Sequence, residues 1–282
     1  MRKLLRANLS RLFQYKVFWA GTVLMFLLAA GTMLYNISYA IRLQENHTEY
    51  YDAFHCLDLQ YFNMLPIAGI FFAIIISLFL GTEYSDGTIR NKFTVGHSRT
   101  AVYMANLLTS IVASFTIVAA LFLGGLIGLI QYTEWKMSVS MTIWYILVML
   151  FVCIAFSAIF TLVGMLSANK AATAIFSLLL WLALQFVAAY GIARLEEPEE
   201  ISGYEVTVDG IQQMDPEPNP YYVRGWMRPV LERTVRILPT GQYLLMANLE
   251  LDEPVFAIIS SACIAVLTSS LGILVFRRKD LK

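Results

Sequence analysis

Six stretches of this chain, residues 17–39, 61–80, 102–130, 141–166, 171–192 and 255–276, contain no Asp, Glu, Lys, Arg or His. A helix rises 1.5 Å per residue, so about twenty apolar residues cross a hydrocarbon layer of roughly 30 Å. Inside that layer a backbone must satisfy its own N–H and C=O groups, which leaves helices and closed barrels. These runs are continuous rather than alternating, and that selects helices. The expected fold class is therefore an all-α integral membrane protein with six transmembrane helices. Composition agrees: of 282 residues 58% are hydrophobic and 14% charged, and the mean hydropathy of +0.64 lies outside the range of soluble globular chains. The first run lacks a small-residue cleavage site and is expected to stay in the mature protein.

Charge is informative through its placement. Lys+Arg and Asp+Glu both number 20, so the balance calls for no nucleic-acid partner. If the N-terminus is cytoplasmic, the cytoplasmic segments carry Arg2, Lys3, Arg6, Arg11, Lys16, Arg90, Lys92, Arg99, Lys170, Arg277, Arg278, Lys279 and Lys282. The short outer loops then keep only Arg42 and Lys136, and the positive-inside rule places both termini in the cytoplasm. Among the carboxylates only Glu83, Asp86 and Asp280 fall inside. Trp19, Tyr35, Tyr39, Tyr61, Trp135, Trp144 and Tyr190 sit near predicted span ends, the headgroup position that Trp and Tyr prefer. Trp181 is mid-span with Gln185 one turn on, a pattern that predicts a helix-packing contact with a shared hydrogen bond.

The flanking segments divide the chain. Residues 1–16 form a basic amphipathic helix, with Leu5, Leu9, Leu12 and Phe13 on one side and Arg2, Lys3, Arg6, Arg11 and Gln14 on the other; it is expected to lie flat on the inner leaflet. Residues 17–192 hold spans one to five, the break at 167–170 making a tight hairpin of the fourth and fifth. Residues 193–254 form a long extracellular loop, 255–276 the sixth span and 277–282 a cytoplasmic tail. In the long loop, Tyr204 to Val208 alternate like a short strand. Pro229 opens a helix with Val230, Leu231, Thr234, Val235 and Leu238 on its apolar face, and a second follows Pro239-Thr240-Gly241; both are expected at the outer interface.

The loop 81–101 between spans two and three reads Gly-Thr-Glu83-Tyr84-Ser-Asp86-Gly87-Thr88-Ile89-Arg90-Asn91-Lys92, then Phe-Thr-Val-Gly96-His97-Ser98-Arg99. Its Asp-Gly turn and Gly96 break predict a short helix, with Ser98 as N-cap of the next span. Glu83, the Gly87-Thr88-Ile89-Arg90 run and the Ser98-Arg99 pair resemble the permease subunits of type-2 ABC exporters, in which these features mark the coupling helix. The resemblance extends to the basic N-terminal helix, the six spans, the long loop before the last span and the basic tail. It implies that Glu83, Tyr84, Asp86, Gly87, Thr88, Ile89, Arg90, Asn91, Lys92, Ser98 and Arg99 couple the chain to a separate ABC ATPase subunit. It also implies a second copy or a paralogous permease as partner in the bilayer, a pair of outer helices capping the translocation path, and ATP with Mg bound by the ATPase rather than by this chain.

Other chemistries lack their residues. There is no Gly-x-x-x-x-Gly-Lys-Ser/Thr and no His-Glu-x-x-His, so neither a phosphate loop nor a zinc protease site is written here. Gly124-Gly125 and Gly128 lie within a span, where small residues allow close helix packing. Asp52, His55, Cys56 and Asp58 mix hard and soft ligands and read as a polar loop rather than a metal site. Asn46-His47-Thr48 is a glycosylation sequon. Cys56, Cys153 and Cys263 are too scattered for a disulfide framework. The chain thus reads as the non-catalytic membrane half of an ATP-driven exporter of an amphipathic peptide or lipid-like cargo. The alternative from another class is a non-transporting sensor or scaffold whose outer loop binds a ligand. An ion-coupled carrier is disfavoured, because such carriers place ionisable residues inside their spans.

Overall fold

The computed structural model describes residues 1–45, 56–130, 135–167, 169–201, 204–207, 210–213 and 215–279. The sequon, Asp52, His55, Val208, Asp280 and Lys282 lie outside these. Six helical segments among the described residues are long and apolar enough to cross a membrane. Helix α1 (Arg2–Gln14) leads into α2 (Lys16–Glu45). The second span is α3 (Leu57–Asn63) followed by α4 (Leu65–Ser85), interrupted at Met64 because Pro66 supplies no N–H to the preceding turn. A short α5 (Thr88–Thr94) precedes α6 (Arg99–Gly125), whose end tightens into a 3-10 turn at Leu126–Ile130. Then come α7 (Val139–Leu166), α8 (Lys170–Glu196) and, beyond a loop region, α9 (Met227–Ile237), α10 (Pro239–Ala247) and α11 (Pro254–Arg278). In the loop region β2 (Tyr204–Thr207) pairs antiparallel with β3 (Gly210–Gln213), and β1 (Glu200–Ile201) with β4 (Glu217–Pro218).

Side-chain N-caps open three of the helices, Ser98 among them as expected. Ser98 accepts the Ala101 N–H at 3.2 Å and Ser138 the Met141 N–H at 3.2 Å, each satisfying a donor that the first turn leaves open. Asn169 does the same for Ala171 and Ala172 at 2.9 and 3.3 Å. The Asp86-Gly87 turn is present with Gly87 at φ 66°, a left-handed geometry that favours glycine.

α4 and α7 form the buried centre, whereas α8 and α11 expose most of their surface. Residues α4 and α8 meet along a stripe of small side chains. Gly69, Ala73, Ser77 and Gly81 recur every fourth residue on α4, and a Cβ at Gly69 would lie 2.2 Å from Trp181 Nε1, one at Gly81 2.8 Å from the Lys170 Cα. The fifth span therefore packs chiefly on the second, and the hairpin predicted for spans four and five is joined in sequence more than in space. Trp181 makes the predicted packing contact, on Gly69, but Gln185 Oε1 is buried without a partner, so the hydrogen bond expected between them is absent. Gly124 allows the close approach expected of it: a Cβ there would meet the Phe26 carbonyl oxygen at 2.4 Å.

Two helices outside the spans pack on the bundle more than their sequence pattern suggests. On α1 the buried stripe is Leu4, Asn8 and Leu12, and it packs on α6; Phe13 is exposed. This helix docks on protein, where Asn8 finds polar partners in the bundle. Helix α10 does not rest at the surface either. Pro239, Thr240, Gly241, Gln242, Tyr243, Met246 and Ala247 are buried among α3, α4, α7 and α8. It can sit there because its polar groups are satisfied: Thr240 donates to the Leu184 carbonyl at 2.9 Å, Gln242 donates to Ser260 Oγ at 2.8 Å and accepts from Ser261 at 2.7 Å. Asp58, once grouped with potential metal ligands, instead accepts the Met137 N–H at 2.8 Å and the Leu59 N–H at 3.0 Å.

Candidate functional site

Helix α1 and the end of α11 lie at one end of the bundle, and the residues singled out in 81–101 assemble there. The sequence places Glu83 in a loop; in the structure it is part of the last turn of α4, and its side chain is fully buried. A carboxylate can stay there only if its charge is compensated. Arg11 of α1 approaches Oε1 at 2.6 Å, and Lys92 of α5 pairs with the same oxygen. Asn106 of α6 donates to Oε2 at 2.8 Å. Asn8 donates to Asn106 Oδ1 at 2.6 Å and accepts from Lys92 at 2.9 Å, which closes the ring. Four helices are thereby fastened around one anion. Arg11 also lies over the Phe79 ring, 4.3 Å from its centroid, and reaches Thr88 Oγ1 at 3.5 Å.

Burial lowers the Lys92 pKa below the ordinary lysine value, and the neighbouring Glu83 carboxylate partly restores it while Arg11 adds to the lowering. The ring holds two cations, Arg11 and Lys92, and one anion, so Glu83 is the group that offsets their charge.

Under this ring α5 is seated by Ile89, which is buried with Leu4, Val102, Tyr103, Met165 and Phe276. Tyr84 donates to the Met165 carbonyl at 2.5 Å. A second fastening involves helix C-termini, whose free carbonyls attract cations. Lys279 donates to the Met165 and Leu166 carbonyls at the end of α7, at 3.1 and 2.9 Å, and lies 4.5 Å from the Tyr84 ring centroid. Arg99 donates to the Phe276 and Arg277 carbonyls at the end of α11, at 3.0 and 3.2 Å, and to the Lys279 carbonyl. Burial lowers the Lys279 pKa as well.

The predicted residues thus separate into two sets. Glu83, Tyr84, Thr88, Ile89, Lys92 and Arg99 face inward and hold the platform together. Asp86, Arg90, Asn91 and Ser98 are exposed, beside Thr94 and Val95, and Gly87 forms the turn. A groove of about 270 Å³ between α1 and α5, lined by Lys3, Leu4, Ala7, Asn91, Lys92, Val95 and His97, opens beside this face. Sequence reasoning missed Asn8, Arg11, Asn106 and Lys279. A signal existed for the first: Asn8 interrupts the Leu4–Leu12 spacing in the stripe that the helix buries.

The family model described as ABC-2 family transporter protein matches residues 4–187 of the chain. No curated protein matches it.

Proposed function

This chain belongs to the ABC-2 family of transporter proteins, and on that premise we propose that it is the membrane-spanning half of an ATP-driven exporter, with both termini in the cytoplasm. Two copies, or one copy and a paralogue, enclose the path, and a separate ABC ATPase binds and hydrolyses ATP with Mg beneath them. Helix α5 is the lever. The observation that carries this reading is a division of residues: α5 is fixed to α1, α4 and α6 through the Glu83 ring, while Arg90 and Asn91 on it and Asp86 and Val95 beside it are exposed. A lever must be rigid toward its load and accessible toward its drive, and α5 meets both conditions. The exposed apolar and hydroxyl surface of the spans suits an amphipathic peptide or a lipid-like cargo better than a sugar or an ion.

The test is retention of the ATPase. Arg90→Glu and Val95→Glu change only exposed positions, so the chain should fold and reach the membrane while its co-purified ATPase falls by at least about tenfold, the equivalent of ~1.4 kcal/mol. Undiminished retention in both variants would remove α5 as the docking element. Glu83 is unsuited to this test, since reversing its charge disrupts the platform itself.

A further inference from the structure

Helices α6 and α7 are joined by a ladder of polar side chains in one register, every fourth residue. Starting from the Glu83 ring, Asn106 donates to Glu83 and contacts Met165 Sδ at 3.2 Å. One turn on, Ser110 donates to the Asn106 carbonyl at 3.0 Å and accepts from Thr161 at 3.0 Å. A turn further, Ser114 and Ser157 share a hydrogen bond of 2.8 Å, and Ser157 donates to the Cys153 carbonyl at 2.7 Å. Cys153, halfway along α7, then meets the Tyr243 hydroxyl of α10 at 3.2 Å. Asn106, Ser114, Ser157, Thr161 and Cys153 are fully buried, and Ser110 and Tyr243 are 1% exposed. The ladder covers about 12 Å of α6, from Asn106 to Ser114, and about 18 Å of α7, from Met165 to Cys153. Both of its ends are anchored: the ring at the terminal end, and at the other end α10, which Gln242 also fastens to Ser260 and Ser261 of α11.

We propose that this ladder is a conformational linkage that transmits the state of the Glu83 ring to α10, with Cys153–Tyr243 as its far joint. The physical basis is that each rung, Thr161 to Ser110 and Ser114 with Ser157, is a bond between the helices that the apolar surroundings do not replace, so separating α6 from α7 costs one interhelical hydrogen bond per rung. Bonds at two successive turns favour α6 and α7 moving together. A displacement of α6 at the ring is therefore delivered to α10 rather than absorbed between α6 and α7. The claim is one of coupling between sites, and it is tested as coupling.

The test is amide hydrogen exchange on the full chain alone in lipid nanodiscs, with no ATPase, so its outcome is independent of the docking reading above. Tyr243→Phe should speed exchange across α10 about threefold, the equivalent of one interhelical hydrogen bond of ~0.6 kcal/mol. Glu83→Gln, at the opposite end, should speed α10 exchange by a similar factor while residues 33–41 of α2 stay within about 1.5-fold, half or less of that one-bond effect. In a Ser114→Ala, Ser157→Ala background the Glu83→Gln effect on α10 should vanish. If Glu83→Gln does not fold, Lys92→Met supplies the perturbation at the same ring. The linkage is overturned if α10 is indifferent to the ring variant, if the effect survives the missing rungs, or if α2 loosens to the same extent.

Discussion

The seam between α6 and α7 and the seam between α4 and α8 both join spanning helices, yet they are built oppositely. The first is held by side-chain hydrogen bonds at successive turns. The second has small residues at the same four-residue interval, and its two buried serines, Ser77 and Ser177, have hydroxyls with no partner. In lipid there is little hydrophobic force between helices, so association depends on close backbone approach or on polar contacts. Each seam uses one of these. Hydrogen bonds are directional and resist sliding, whereas a stripe of glycine, alanine and unbonded serine offers contact area with little directional preference.

The comparison can be broken most strongly at the anchored end of the polar seam. Glu83→Ala leaves Arg11 and Lys92 without their shared anion, and unfolding in bicelles should show a loss of about 3–5 kcal/mol; a loss below ~1 kcal/mol would mean that water already compensates these cations. On the small-residue seam the vulnerable feature is space rather than bonding. Gly81→Leu sets a Cβ against the backbone of Lys170 and should cost about 1–3 kcal/mol, with Gly81→Ala less severe. Wild-type stability in both would show that α8 has room to withdraw.

Serine deletions sharpen the contrast. Ser157→Ala removes a bonded rung and should destabilise by about 0.6 kcal/mol, whereas Ser77→Ala removes an unpartnered hydroxyl and should be neutral or stabilising by the same measurement. Equal losses at the two sites would erase the distinction between the seams. The smallest effect is that of pH. Because burial lowers the Lys92 pKa, the unfolded chain holds this proton more tightly than the folded one between the lowered value and 10.5. Stability should therefore rise with pH across that window, and the lower-pH side carries the full penalty. Thermal unfolding as a function of pH should show this slope in the wild type and a flatter one in Lys92→Gln.

Much of this was legible without coordinates. The six spans follow from per-residue transfer cost, which adds along the chain and needs no knowledge of neighbours. The caps at Ser98 and the turn at Gly87 are local chemistry and were equally readable. The short helix in 81–101 was expected and formed. Its extension of α4 through Glu83 was not, because a charge marks the end of a span when counted alone and ceases to do so when two cations arrive from residues 11 and 92. The depth of α10 was hidden for the same reason. Gln242 and Thr240 read as surface groups until Ser260, Ser261 and the Leu184 carbonyl are seen to satisfy them.

What the amino-acid sequence settles by itself is therefore the set of segments that hydrocarbon accepts, since that is a sum over neighbouring residues. Which of those segments touch, and which buried polar atoms thereby find partners, is decided only in three dimensions. A hydrogen bond between residues 8 and 106, or 153 and 243, has an energy that exists only at contact distance, and no periodicity along the chain encodes the meeting.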